Sequence, residues 1–207
     1  MSESTLSFFT VNVRGLGDAA KRSRVFSYLR QHRFDVIALQ ETHCPTAASA
    51  SWWTRQWGGT AFWTTFSSRS GGTAILFRRD LLTEIADVDT DPDGRCVRLL
   101  VTFPHVDRTY RVSCIYAPND PTERTTFFER MHDQACGYDD AHDDSDYDNI
   151  ILGDFNCILD PAIFFAPSRD QRGGGRCSGE RKRTAAAVAV VSFTFVLACA
   201  LAGGLSF

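Results

Sequence analysis

The most informative stretch of the sequence is Ile150-Ile151-Leu152-Gly153-Asp154-Phe155-Asn156. Its three leading apolar residues predict a short buried strand, after which Gly153 is expected to let the backbone turn sharply. Because residues two apart in an extended segment point to the same side, Asp154 and Asn156 are expected to face one pocket, with Phe155 turned back into the core. A carboxylate beside an amide suits a phosphate and its attacking water. A strand followed by an Asx turn is the other interpretation of these residues.

Length and composition indicate one globular domain of ordinary size, with 207 residues, of which 43% are hydrophobic and 23% charged. The net charge is −3, so the chain as a whole is not basic, and binding of a nucleic acid would require a local basic patch. None of the seven cysteines forms a C-x-x-C pair, which argues against a zinc site or a disulfide framework. The first residues show no signal peptide, so we predict a nuclear or cytoplasmic protein.

The chain opens with a predicted strand, helix and strand. Leu6 to Val13 is rich in strand-forming residues, and Asp18 is a plausible N-cap for a helix from Ala19 to about His32. Asp35 to Leu39 is a second apolar strand. The helix presents two faces: an apolar face of Val25, Phe26 and Leu29, and a polar face of Arg22, Arg24 and Arg30.

Further short strands and two more helices follow. The predicted elements are a helix capped by Thr46 that ends at Trp57, strands at Thr60–Phe66 and Gly72–Arg78, a turn at Asp89–Gly94, and a hairpin of Val97–Phe103 and Tyr110–Tyr116. Asp120 and Pro121 are the predicted N-cap and first residue of a third helix, which extends to about Cys136. The acidic run from Asp139 to Asp148 is interpreted as a solvated connection, since its spacing does not fit a calcium loop. Many short strands with few helices predict an α/β protein of stacked sheets flanked by helices.

The composition changes after Pro161, which divides the chain into a domain at 1–161, a polar Gly- and Arg-rich linker at 162–183 and an uncharged tail at 184–207. The tail is long enough to be a transmembrane helix, and Arg181-Lys182-Arg183 before it would favour the cytoplasmic side. We therefore expect either a membrane anchor, with possible membrane contact, or an out-of-frame extension without function.

Four polar sites end predicted strands in the same way. They are Asn12, Glu41, Tyr116 and the Asp154-Phe155-Asn156 segment. Open α/β folds bind ligands at the carboxyl ends of strands. A single polar residue there is usually a cap, but four in succession predict one site.

The blocks around these residues resemble the exonuclease–endonuclease–phosphatase superfamily with the DNase I-like fold. The blocks are Asn12-Val13-Arg14-Gly15-Leu16, Leu39-Gln40-Glu41-Thr42-His43, Gly71-Gly72-Thr73-Ala74-Ile75-Leu76-Phe77, Ile115-Tyr116-Ala117-Pro118-Asn119 and Gly153-Asp154-Phe155-Asn156. The amino-acid sequences of these blocks are most similar to those of the endonuclease domain of LINE-type retrotransposon polyproteins. The resemblance extends over about Leu6 to Pro161.

The resemblance implies a four-layer α/β/β/α sandwich and metal-dependent cleavage of DNA phosphodiesters. By this resemblance, Glu41 binds Mg²⁺ (or Mn²⁺), and Asn12 supports that ligand or the phosphate. Tyr116 and Asn156 donate hydrogen bonds to phosphate oxygens. Asp154 orients and activates the attacking water. The DNA phosphate backbone is the implied partner, and no protein partner is inferred.

The chain departs from the family pattern at its end. Family members close with a Ser-Asp-His block whose histidine is catalytic, but here the histidines are at 32, 43, 105, 132 and 142, and none follows Asn156. We therefore expect a C-terminally truncated domain with an incomplete second sheet, inactive in nicking as it stands. Two alternatives are a phosphatase of phosphoinositides or other phosphoesters, and a non-catalytic membrane-anchored remnant.

Overall fold

The computed structural model of the chain describes residues 5–141 and 147–157. In chain order its elements are β1 Phe8–Asn12, α1 Ala19–His32, β2 Val36–Gln40, α2 Ala47–Trp57, β3 Ala61–Trp63, β4 Thr73–Phe77, β5 Glu84–Thr90, β6 Cys96–Phe103, β7 Arg108–Tyr116, α3 Pro121–Ala141 and β8 Asp148–Asp154. Within this part of the chain the strands form two four-stranded sheets, in the orders β1-β2-β4-β3 and β5-β6-β7-β8.

The two sheets pack face to face, with helices on both outer surfaces. Inward-facing residues of β2 and β4, such as Val36 and Phe77, share one buried cluster with Leu99 and Val112 of the second sheet. The helices α1 and α2 cover the outside of the first sheet, and α3 covers the outside of the second through Phe127. The fold is therefore the four-layer α/β/β/α sandwich predicted from the sequence.

The helix starts follow from their caps. The side chain of Asp18 accepts the N–H of Lys21 at 2.6 Å, and Thr46 accepts the N–H of Ser49 at 3.1 Å. Asp120 accepts two N–H groups at the start of α3, at 2.9 and 3.0 Å. Each cap satisfies donors that the first turn of a helix leaves without an intrahelical partner. All three predicted caps are confirmed.

Several predictions about local structure are wrong. The strand β5 was missed because its sequence is acidic and mostly exposed, and it is held instead by its pairing with β6. Arg22, expected on the polar face of α1, is buried, since its guanidinium donates to Leu16 O and Gln56 Oε1, both at 2.6 Å. The helix α3 continues to Ala141 rather than ending near Cys136.

The central strand is also longer than expected, because β8 extends through Gly153 to Asp154. Gly153 does not end the strand. Its φ of 156° and its contact with β7 explain the glycine, since a Cβ at this position would collide with the carbonyl oxygen of Ile115. The residue is required for the close approach of two paired strands rather than for a turn.

We expect Gly153→Ala to lower the free energy of unfolding by about 3 kcal/mol, near the upper end of what overpacking costs. Ile115 O is backbone in a paired strand and cannot move aside alone. Urea unfolding followed by circular dichroism measures the change. Gly17→Ala is the matched control, because a Cβ there meets no atom within 4 Å. Equal stability of the two variants would contradict the contact.

None of the helices in the described part of the chain is long and apolar enough to span a membrane. The predicted linker at 162–183 and the tail at 184–207 both lie outside the described residues.

Candidate active site

The sheet topology brings the predicted site residues to one end of the sandwich. The strands β1 and β2 are parallel, with Asn12 beside Gln40, and Glu41 follows directly. The strands β7 and β8 are also parallel, with Tyr116 beside Asp154. The carboxyl ends of each pair therefore coincide, and the two sheets present these ends to each other.

The side chain of Asn12 joins the two halves of the site. Its Nδ2 donates to Glu41 Oε1 at 2.7 Å and to Asp154 Oδ2 at 3.0 Å. Its Oδ1 accepts the N–H of Arg14 at 3.1 Å, which fixes the orientation of the amide. One amide thus holds two carboxylates that are 113 residues apart in the chain (154 − 41), and the predicted convergence of these residues is confirmed.

Glu41 is positioned by a strained backbone. Its φ is 51°, and φ is 55° at His43 and 47° at Arg14. Left-handed backbone at non-glycine residues costs about 1–3 kcal/mol each and persists where surrounding contacts determine it. Here Gly15 N donates to Glu41 O at 2.6 Å and His43 N donates to Gly71 O at 3.0 Å. The loop therefore directs the Glu41 carboxylate at a fixed point.

Asp154 and Asn156 are linked to each other and to β7. The backbone N–H of Asn156 donates to Asp154 Oδ1 at 3.1 Å, so both carboxylate oxygens of Asp154 accept a hydrogen bond. The Asn156 side chain donates to Ala117 O at 2.6 Å. Phe155 is buried between them against Phe128 of α3, as predicted. The Asx-turn interpretation is confirmed by the hydrogen bond from Asn156 N–H to Asp154 Oδ1, and the phosphate-site interpretation of the same residues stays a prediction.

Tyr116, the last residue of β7, interacts with Glu41. Burial raises the pKa of the phenol, and the negative charge of Glu41 together with a hydrogen bond to it raises the pKa further, as does Asp154. Tyr116 therefore remains protonated well beyond neutral pH and is available as a hydrogen-bond donor beside the two carboxylates.

Two basic residues at the site were not singled out from the sequence. His43 Nε2 lies 3.8 Å from Glu41 Oε2, and burial lowers the His43 pKa while the Glu41 charge opposes this. Burial lowers the pKa of Lys21 while the Glu41 charge opposes this, the Lys21 charge lowers the pKa of His43, and the Lys21 amino group donates to Arg14 O at 2.7 Å. His43 could have been found by its place two residues after Glu41. Lys21 carries no comparable signal.

The chain matches known proteins over most of its length. The family model described as the Endonuclease/Exonuclease/phosphatase family matches residues 9–195. The transposon TX1 uncharacterized 149 kDa protein of Xenopus laevis is 35% identical over 155 residues. That match includes 75% of this chain but only 11% of the Xenopus protein, so the chain spans about a tenth of its relative's length.

The solved structures that share this fold include an endonuclease, a phosphatase and a TDP2 protein. An AP endonuclease from Archaeoglobus fulgidus gives a TM-score of 0.54 at 20% identity, over 76% of this chain and 60% of that one. A D. rerio TDP2 complexed with single strand DNA product gives 0.51 at 24% identity, over 76% and 62%. A Bacteroides thetaiotaomicron mannosyl-6-phosphatase gives 0.53 at 14% identity, over 73% and 66%. At these identities the likeness establishes the fold.

Proposed function

Since the chain belongs to the Endonuclease/Exonuclease/phosphatase family, we propose that it is a metal-dependent phosphodiester hydrolase, the DNA-nicking endonuclease domain of a LINE-type retroelement. The observation that carries the proposal is the Asn12 amide that joins Glu41 to Asp154 at the strand ends. The transposon protein of Xenopus laevis supports a nucleic-acid substrate, as does the TDP2 structure with single strand DNA product. The proposed location is nuclear or cytoplasmic.

The donor set fits a hard divalent cation, Mg²⁺ or Mn²⁺. Glu41 offers a carboxylate, and Asp154 lies within reach of the same amide. Within the described residues there is no group of three or more His, Cys, Asp or Glu side chains that could hold a metal. Mg²⁺ is usually bound by one or two carboxylates, with waters and substrate phosphate completing the shell, and Glu41 and Asp154 are the two carboxylates present here. Asn12 acts through its hold on Glu41, because its amide nitrogen faces both carboxylates.

The proposed roles of the other residues follow from their contacts. Asp154 orients the attacking water and accepts its proton, because its two oxygens are fixed by Asn12 and by the backbone of Asn156. Tyr116 has one O–H, and when substrate binds it would donate this hydrogen to a non-bridging phosphate oxygen instead of to Glu41. Asn156 has a second amide hydrogen for the same purpose, beyond the one donated to Ala117 O. These donors stabilise the charge that develops on the phosphate.

The metal, when bound, neutralises the phosphate and stabilises the leaving oxygen. The protein side chains contribute no histidine from beyond Asn156, since none follows it in the sequence. His43 is held near Glu41 and Lys21, and so belongs to the proposed metal side of the site. We therefore propose that hydrolysis by the 207-residue polypeptide is weak, and that nicking is not efficient.

Weak hydrolysis is measured best with activated reporters at high enzyme concentration. We expect Mn²⁺-dependent hydrolysis of bis(p-nitrophenyl) phosphate, a diester, to exceed that of p-nitrophenyl phosphate, a monoester. Asp154→Asn is expected to lower diester hydrolysis by about 100-fold, within the usual range for one proton-transfer group. Release of p-nitrophenol measures both reactions.

The control is Asp148→Asn, a carboxylate at the opposite end of the same strand β8. We expect it to retain the diester activity of the unaltered chain. Hydrolysis of the monoester alone would favour the phosphatase alternative. Equal loss in the Asp148 and Asp154 variants would contradict the assigned role of Asp154.

A further inference from the structure

A groove of about 500 Å³ opens beside the candidate active site, between the loop before β4 and the first turns of α3. We call it the Phe66 groove, and its walls include Phe66, Arg95, Pro118 and Thr122. Arg95 connects it to the site, because its guanidinium lies 5.6 Å from the centre of the Tyr116 ring and donates to Tyr116 O at 3.4 Å. Anything bound here therefore lies next to Tyr116, which the proposed function places against the substrate phosphate.

Phe66 is an exposed aromatic side chain on a rigid support. The residue is 52% exposed, although its backbone N–H donates to Cys44 O at 3.0 Å. Gly71 and Gly94 lie directly against it, since a Cβ at either would be 3.1 or 2.6 Å from a side-chain atom of Phe66. The ring therefore has backbone behind it and open space in front. A fixed, open aromatic face at a groove is a platform on which a nucleic-acid base can stack.

Arg95 supplies positive charge between this platform and Tyr116. It forms no ion pair with any residue in the described part of the chain. Arg130, on the same groove, is different, because Asp91 and Asp93 lie 3.7 and 3.9 Å from its guanidinium nitrogens. A guanidinium without a carboxylate partner matches the geometry of a phosphate group. The groove thus combines an aromatic face with a cation suited to phosphate.

We propose that the Phe66 groove binds the nucleotide adjacent to the scissile phosphate in a single strand, with its base stacked on Phe66 and its phosphate held by Arg95. This inference rests on the proposed function. The strand must be unpaired locally, because a base stacked within a duplex has no free face for Phe66. Asp93 and Glu123 also line the groove, and their negative charge disfavours a second phosphate there.

The test uses the 207-residue chain and two fluorescein-labelled probes, an oligothymidylate of eight residues and the same backbone without bases. Anisotropy is measured in EDTA, so that no cleavage occurs. We expect Phe66→Ala to weaken oligothymidylate binding about 30-fold, the middle of the range for loss of one stacked base. The affinity of this variant for the abasic probe is expected to stay within about twofold of that of the unaltered chain, since a probe without bases has no stacking on Phe66 to lose. Phe66→Trp is expected to restore oligothymidylate binding.

Arg95→Gln is expected to weaken both probes and to reduce the slope of log affinity against log salt by about 0.7, as for one lost phosphate contact on a single strand. The matched controls are Trp52→Ala and Arg55→Gln. Trp52 is 50% exposed with the Arg55 guanidinium 5.5 Å from its ring centre, which places the same pair of residue types on α2, outside the groove. Thermal melting verifies that each variant is folded.

Three results would overturn the inference: no binding of either probe, equal effects of Phe66→Ala and Trp52→Ala, or equal losses of Phe66→Ala on the two probes. None of these measurements depends on hydrolysis. If the chain hydrolyses the diester but Phe66→Ala leaves oligothymidylate binding unchanged, the groove assignment is wrong and the proposed function stands. If Phe66→Ala weakens binding of oligothymidylate but not of the abasic probe, and the chain hydrolyses no diester, the proposed function is wrong and the groove assignment stands.

Discussion

Replacement of Glu41 by glutamine is expected to weaken Mn²⁺ binding at the site by about 100-fold, the upper end of the loss seen when a residue that supports a metal ligand is replaced, because the neutral amide removes the charged oxygen that a hard cation prefers. The substitution preserves shape, and the new side chain can still accept the hydrogen bond from Asn12 Nδ2. The strained backbone at Glu41 is fixed by contacts of the loop and is independent of the carboxylate. Electron paramagnetic resonance of free Mn²⁺ measures the affinity directly.

The control for Glu41→Gln is a variant that changes the net charge of the chain by the same amount at a position away from the site. Glu84→Gln serves, since Glu84 is exposed on β5, in the second sheet. The acidic run from Asp139 to Asp148 attracts cations diffusely in every variant, so the informative quantity is the loss of the tightest site. Unchanged Mn²⁺ binding after Glu41→Gln would place the metal elsewhere and would leave the proposed hydrolysis without its cation.

The candidate site could be predicted because its residues end strands. Asn12, Tyr116 and Asp154 each occupy the last position of β1, β7 and β8, and Glu41 comes directly after β2. Local alternation of apolar residues is sufficient to place such strand ends. The roles assigned to these residues came from family resemblance and stay predictions, since strand position alone says nothing of metal or phosphate.

What the sequence could not predict depends on contacts between distant segments. The local sequence predicts a surface position for Arg22, but Gln56 of α2 accepts a hydrogen bond from its guanidinium. The local sequence likewise predicts a loop at β5, but this segment pairs with β6. The need for Gly153 is set by Ile115 O, on a different strand. In each case the deciding partner lies in a different helix or strand, so periodicity and propensity within a single segment carry no information about it.

The largest expected effect concerns the histidine that the family places across the phosphate. We expect a chimera of residues 1–161 with the closing Ser-Asp-His segment of a family member to nick supercoiled plasmid about 10²–10⁴-fold faster than the 207-residue chain, the usual contribution of one positioned proton-transfer group. Asn12, Glu41 and Asp154 already hold one another in place, so the added histidine would complete an ordered site. Conversion of supercoiled to open-circular plasmid in Mg²⁺ measures the rate.

Two variants of the chimera separate chemistry from folding. Alanine in place of the grafted histidine keeps the added strands and removes only the proton-transfer group, so we expect it to lose the gain. Asp154→Asn in the chimera is expected to lose it as well, since the water would then have no carboxylate to orient it. Efficient nicking by the 207-residue chain itself, abolished by Glu41→Ala, would show that a residue already present replaces the histidine. His43, with its Nε2 3.8 Å from Glu41 Oε2, would then be the first residue to substitute.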